Sequence, residues 1–192
     1  MTTRAYLAGP DVFLHDALEF AEIKKGLCAR YGIEGVFPLD AVLDLKGLSS
    51  AEAAYRISAA NEGLIRSCQL VIANMTPFRG VSADVGTAFE MGFARALGLS
   101  VYAYSNDTRS FTARARMAFR FNEDLKGNLR DENRMLLEEF SPLSDNLMLD
   151  GAVWSSSGTT VFTPRGVPVV DPFRDLTAFE MCLKHAAGVQ GL

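Results

Sequence analysis

The stretch Leu70–Tyr104, LVIANMTPFRGVSADVGTAFEMGFARALGLSVYAY, decides the fold. An apolar run of strand type, Leu70–Met75, passes into turn chemistry at Thr76–Ala83. Asp84 can then cap a helix over Val85–Leu97, Gly98 ends it, and Ser100–Tyr104 reads as a second strand. Two strands joined through a helix lie parallel, because a parallel pair needs a crossover connection of that length. The same alternation extends outward. Upstream, Ala5–Ala8 is a strand closed by Gly9-Pro10, and Leu18, Ala21, Ile23, Leu27 and Cys28 recur at near-helical spacing within His15–Tyr31, with Gly32 as C-cap. Ile33–Leu39 is a second strand, and Ser50 caps a helix from Ala51 to Ser67. Downstream, the polar, Arg-rich segment Ser105–Asn133 has weak periodicity and stays open between loop and helix. A helix is expected over Glu132–Phe140, then a turn at Ser141–Asn146 and a Gly/Ser/Thr-rich stretch at Gly151–Thr160, within which Ser155-Ser156-Ser157-Gly158 reads as a flexible turn. Val167–Val170 is the expected last strand, and Asp171-Pro172 opens a terminal helix with Phe173, Leu176, Phe179 and Leu183 on its apolar positions. The pattern is that of an α/β protein, a parallel sheet with helices on its faces.

Composition narrows the function. The 192 residues are 48% hydrophobic, enough for one full core and a single domain over 1–192. With 19 basic and 23 acidic side chains the net charge is −4, so there is no cationic field for a polyanion and no nucleic-acid coat function. No apolar run reaches the roughly 20 residues of a membrane span, and the start MTTRAYLAGPDVF lacks the form of a secretory signal, so a soluble, cytoplasmic protein is expected. The cysteines Cys28, Cys68 and Cys182 lie far apart, and His15 and His185 have no metal-ligand spacing, which gives no reason to expect a structural metal or a disulfide framework.

In an open parallel sheet, ligands sit beyond the carboxyl ends of the strands. That rule selects the loops Gly9–Phe13, Leu39–Asp44 and Asn74–Asp84. On the helix that follows the third loop, Glu90 is flanked by Val85, Ala88, Phe89, Met91, Phe93, Ala94 and Leu97. A helix apolar nearly all round should be buried, and a carboxylate in its middle then needs a partner or a purpose. The plainer reading is a solvated Glu or one paired with Arg95. Asp84 stands six residues earlier, roughly 9 Å along the axis, so both carboxylates could line one cavity, although Asp84 also suits an N-cap. The TPFRG loop lacks the Lys-Ser/Thr of a phosphate-cradling loop, and no GxGxxG follows the first strand, which argues against nucleoside triphosphate, flavin or dinucleotide binding and leaves no cofactor implied. Ser155-Ser156-Ser157 has no histidine near it in sequence to make a nucleophile of it.

Residues Asn74–Tyr104, together with Tyr6-Leu7-Ala8-Gly9-Pro10, Phe37-Pro38-Leu39-Asp40, Asn61 with Ile65, and Asp145-Asn146-Leu147-Met148, resemble the nucleoside 2-deoxyribosyltransferase family over most of Ala5–Met148. The resemblance implies a flavodoxin-like, Rossmann-like three-layer sandwich with a five-stranded parallel sheet of order 2-1-3-4-5. It implies exchange of the nucleobase of 2'-deoxyribonucleosides through a covalent deoxyribosyl ester. Glu90 would be the nucleophile, Asp84 the acid and base on the nucleobase, and Tyr6 the residue that orients Glu90. Gly9, Pro10, Phe13, Asp40, Asn61 and Gly86 would contact substrate, and Asn146 and Met148 would reach the sugar from a neighbouring subunit, so a homo-oligomer is implied. Its partners would be small deoxynucleosides and free bases. Relatives that hydrolyse nucleoside 5'-monophosphates carry a Ser six residues before the Glu; here the acidic Asp11 and Asp84 should repel a phosphate. A non-catalytic nucleotide-sensing module is the remaining alternative, since a fold by itself carries no activity.

Overall fold

A computed structural model describes residues 2–164 and 169–189. Four parallel strands, β1 (Thr3–Ala8), β2 (Ile33–Val36), β3 (Leu70–Asn74) and β4 (Ser100–Tyr104), form a sheet of order β2-β1-β3-β4. Tyr6 of β1 stands opposite Val36 of β2 and Val71 of β3. Every residue of β3 is buried, as expected of a central parallel strand covered on both faces. Side chains alternate across the sheet. Ala5, Leu7, Ile72, Tyr102 and Tyr104 join the core on the side of helices α1 (Ala17–Arg30) and α6 (Thr177–Val189). Tyr6, Ala8, Val71, Ala73 and Val101 join the core on the side of α2 (Ser50–Arg66), α3 (Val85–Ala96) and α5 (Leu147–Ser157).

Among the described residues the fifth strand position holds one residue. Phe162 pairs with Tyr104 in a parallel bridge, donating its N–H to Ala103 O and accepting from Ser105 N. Of the strand expected at Val167–Val170, residues 167–168 lie outside the described residues, and Val170 is exposed and in no strand. Ser156 of α5 closes more of the β4 edge by accepting a 3.0 Å bond from Val101 N.

Helix ends follow their side chains. The cap of α2 is Ser49 rather than Ser50, because Ser49 and Glu52 form the reciprocal Ser-x-x-Glu box, Ser49 N donating to Glu52 Oε2 at 2.8 Å and Glu52 N to Ser49 Oγ at 3.3 Å. Gly98, at φ 78°, takes the left-handed conformation that ends α3. Within the open segment Ser105–Asn133, Ser110 caps a short helix α4 (Phe111–Ala118), followed by a hairpin of β5 (Asn122–Glu123) and β6 (Leu129–Arg130).

Two expected elements are replaced. No helix forms over Glu132–Phe140. Asp131 Oδ1 captures the amides of Asn133 and Met135, and Arg134 takes φ 63°, so the N–H groups a helix would use are spent on a local turn. The flexible turn expected at Ser155–Gly158 is the end of helix α5, which runs to Ser157 and is capped by Gly158 at φ 70°. There the hydroxyls of Ser155, Ser156 and Ser157 donate back to the carbonyls of Gly151, Ala152 and Val153, which lets a serine-rich run stay helical. The terminal helix starts at Thr177, after Asp175 Oδ1 accepts from Thr177 N, leaving Phe173 and Leu176 ahead of it while Phe179 and Leu183 are buried.

Candidate active site

Helix α3 buries one face only. Thr87, Met91 and Ala94 turn to the sheet, whereas Val85 is 84% and Phe89 57% exposed, which corrects the expectation of a helix buried all round. Glu90 lies between these faces. Arg95 is not its partner, since Arg95 Nε donates to Ser155 Oγ at 2.9 Å. The partner is the fully buried Tyr6 of β1, whose hydroxyl donates to Glu90 Oε1 at 2.5 Å. Oε2 of Glu90 has no hydrogen bond among the described residues, and Glu90 lines a cavity of about 350 Å³ between α2 and α3.

Burial pushes the Glu90 carboxyl up to about 7; the Tyr6 hydrogen bond opposes the rise and the nearby Asp84 charge adds to it. Tyr6 moves well above the usual phenol range through its burial and then through the Glu90 charge, so it is a permanent donor. Asp84 caps α3 with one oxygen only. Oδ2 accepts from Thr87 N at 3.1 Å, and Oδ1 has no hydrogen bond among the described residues. The absence of a side chain at Gly86 makes room for this carboxylate, because a Cβ there would lie 2.9 Å from Asp84 Oδ2.

The opposite cavity wall is a stripe of α2. Ala54, Ile57, Ser58, Asn61, Glu62 and Ile65 line it at the i, i+3, i+4 spacing of one helix face. Asn61 was singled out from the sequence; Ile57, Ser58 and Glu62 were not, although the spacing that unites them with Asn61 was present. The stripe combines apolar surface with an amide, a hydroxyl and a carboxylate, a lining suited to a flat heterocycle with hydrogen-bonding edges.

The structure thus brings Glu90, Gly86 and Asn61 together on the cavity, with Tyr6 behind Glu90 and Asp84 at the head of its helix. The other sequence-selected residues are engaged elsewhere. Asp40 accepts from Phe37 N at 2.8 Å and Lys25 Nζ at 2.6 Å. Phe13 stacks on Phe78 at 5.2 Å, with the Arg79 guanidinium over both rings. Gly9 and Pro10 are buried, and a Cβ on Gly9 would come within 2.7 Å of Asn74 Cβ. Asn146 caps α5 through Met148 N and donates to Glu138 Oε2, while Met148 is 72% exposed.

Asp11 is the main electrostatic correction. It is fully buried, accepts from Lys24 Nζ at 2.5 Å and from Asn74 Nδ2 at 2.8 Å, and presents no free charge to a ligand. Nothing in the spacing of Asp11 and Lys24 distinguished this pair from surface charges. Among the described residues no helix is long and apolar enough to cross a membrane, and no group of three His, Cys, Asp or Glu is placed to hold a metal ion.

Known proteins of similar sequence and structure bear on this geometry. The structure aligns with a 2-desoxiribosyltransferase from Leishmania mexicana at a TM-score of 0.64 and 28% identity, over 95% of this chain and 98% of that one. A conserved protein from Enterococcus faecalis, at 16% identity and a TM-score of 0.54 over 97% of this chain and 99% of that one, shares the fold. In sequence, an uncharacterized protein of Schizosaccharomyces pombe is 27% identical over 165 residues, 80% of this chain and 78% of its own length. The family model for nucleoside 2-deoxyribosyltransferase matches residues 5–148, a span that contains Tyr6, Asp84 and Glu90, and the chain belongs to that family of glycosyl-transferring enzymes.

Proposed function

We propose that this chain exchanges the nucleobase of 2'-deoxyribonucleosides by two successive displacements at C1'. The observation that carries the reading is a half-buried carboxylate held at one oxygen by a phenol, with no cation beside it and no bond to its other oxygen among the described residues, and placed on a cavity. Glu90 Oε2 attacks C1', the C1'–N bond breaks, and the departing base takes the bond's electron pair together with a proton from Asp84. A deoxyribosyl ester on Glu90 results. A nitrogen of the incoming base then attacks C1', the ester bond breaks to restore the carboxylate, and Asp84 accepts the proton that the new base sheds. Two inversions give net retention. Tyr6 fixes Oε1 and spreads its charge, and the α2 stripe with Asn61 receives the base.

A second reading, hydrolysis of deoxynucleoside 5'-monophosphates, draws support from one observation. The Asp11–Lys24 pair removes one of the two negative charges that stood against a phosphate, leaving Asp84 alone. The test of both is incubation with deoxyinosine or deoxyuridine, and with deoxyadenosine 5'-monophosphate, with and without a free base, followed by chromatography. Formation of a new nucleoside that depends on the acceptor supports exchange. Release of base from the monophosphate in preference to the nucleoside, independent of acceptor, supports hydrolysis and overturns exchange.

A further inference from the structure

Arg114 and Asp145 are buried, at 3% and 0% side-chain exposure, and belong neither to the cavity lining nor to the chemistry described above. Their hydrogen bonds stitch two loops together almost residue against residue. Arg114 donates from Nε to Val81 O at 2.8 Å, from Nη2 to Ser144 O at 2.5 Å and from Nη1 to Arg109 O at 2.5 Å, and its guanidinium lies 3.6 Å from Asp145 Oδ2. Asp145 accepts from the Ser82 hydroxyl, from Ala83 N at 2.8 Å and from Asn146 N at 2.8 Å. Residues 81–83 end at Asp84; residues 144–145 end at Asn146.

We propose that the Arg114–Asp145 pair is the positioning device for Asp84, tying the loop that ends at Asp84 to the loop that ends at Asn146 in a single fixed relation. The inference rests on the reading of Asp84 as the proton donor. The loop Thr76–Ala83 has turn composition and is closed on itself by the bond from Phe78 N to Ser82 O. Its last two residues before Asp84 are instead held from outside, by Asp145. A planar guanidinium can serve Val81, Ser144 and Arg109 carbonyls at once while facing a carboxylate; an ammonium is a point charge without that fork. Neither member of the pair needs to touch substrate. Proton transfer falls steeply when donor and leaving nitrogen move apart, so loosening the pair should reach the chemistry through Asp84.

The test uses the full chain and two substrates: deoxyadenosine with a free acceptor base, and 4-nitrophenyl 2-deoxyribofuranoside, whose nitrophenolate leaves without a proton. Asp84→Asn should lower kcat for deoxyadenosine by roughly 10²–10⁴-fold. Asp145→Asn should lower it by roughly 10- to 100-fold. For Asp145→Asn the single-turnover release of nitrophenolate from the nitrophenyl substrate, a step that needs no proton from Asp84, should stay within about threefold of wild type. The double variant should be no slower than Asp84→Asn alone, because the second change acts through the first residue. Equal losses on both substrates, or additive losses in the double variant, would show a general structural role and overturn the inference. If Asp145→Asn does not fold, Arg114→Lys carries the same comparison, keeping the charge while removing the fork. An impaired Asp84→Asn beside an unimpaired Asp145→Asn defeats this inference alone. A fully active Asp84→Asn defeats the reading of the proton donor, and a wild type without exchange defeats the proposed function, each taking the inference with it.

Discussion

Two carboxylates flank strand β1, one fully buried and one half-buried, and they are handled in opposite ways. Asp11, in the loop that leaves the strand, is closed off completely: an ammonium from α1, an amide from Asn74 and the aromatic rings of Tyr104 and Phe179 around Lys24 leave it no access to solvent or ligand. Glu90, on the α2–α3 side, has a phenol for company, no cation among the described residues, and an opening onto a cavity. A burial neutralised by a cation stabilises a loop. A burial that leaves a carboxylate uncompensated costs stability, and the molecule carries that cost on the side of the sheet where the cavity lies.

The largest break in this contrast is removal of Glu90. Glu90→Ala should abolish base exchange, by at least about 10⁴-fold, while the fold is retained, as checked by initial rates beside circular dichroism. Near-wild-type turnover would show that the uncompensated carboxylate is not the nucleophile. Lys24→Met should do the reverse. It leaves Asp11 buried and unpaired, at a cost of about 3–5 kcal/mol in urea unfolding, whereas a surface pair in the same test would lose under about 1 kcal/mol.

Glu90→Gln sharpens the comparison through pH. The Glu90 carboxyl moves from 4.5 in the unfolded chain to about 7 in the folded one, so between those values the folded state binds more protons than the unfolded. Stability therefore falls as pH rises through that window, and the cost is fully present above it and absent below 4.5. The Gln variant should be more stable than wild type by up to about 3 kcal/mol at pH 8 and should match it at pH 4. Equal unfolding free energies at both pH values would show that Glu90 bears no burial cost. The smallest effect belongs to Tyr6→Phe. Because the phenol hydrogen bond holds the Glu90 value down, its loss should move the acidic inflection of kcat/KM from about 7 to a higher pH. An unmoved inflection would separate the phenol from the titration of the nucleophile.

Much of this was legible in the sequence because it depends on local rules. The βαβ unit over Leu70–Tyr104, the helix after Asp84 and the turn at Gly98 follow from period, capping and left-handed glycine geometry, which act within a few residues. Asn61 was visible through family resemblance, and its neighbours Ile57, Ser58 and Ile65 share its helix face. The places where the reading failed were those where a side chain chose between competing local bonds: Asp131 made a turn out of a plausible helix, and Ser155–Ser157 made a helix out of a plausible turn.

By itself the sequence determined the order of elements as far as Tyr104, the parallel sheet, the family and the residue types at Tyr6, Asp84 and Glu90, because periodicity and motif are properties of neighbours along the chain. Only the tertiary structure decided which charges are free. Asp11 and Lys24 stand thirteen residues apart, Tyr6 and Glu90 eighty-four, and Ser82 and Asp145 sixty-three. Whether each acid is neutralised, activated or used to hold a loop depends on what the sheet brings beside it. Desolvation and pairing are set by distances in space, and no spacing along the chain encodes them.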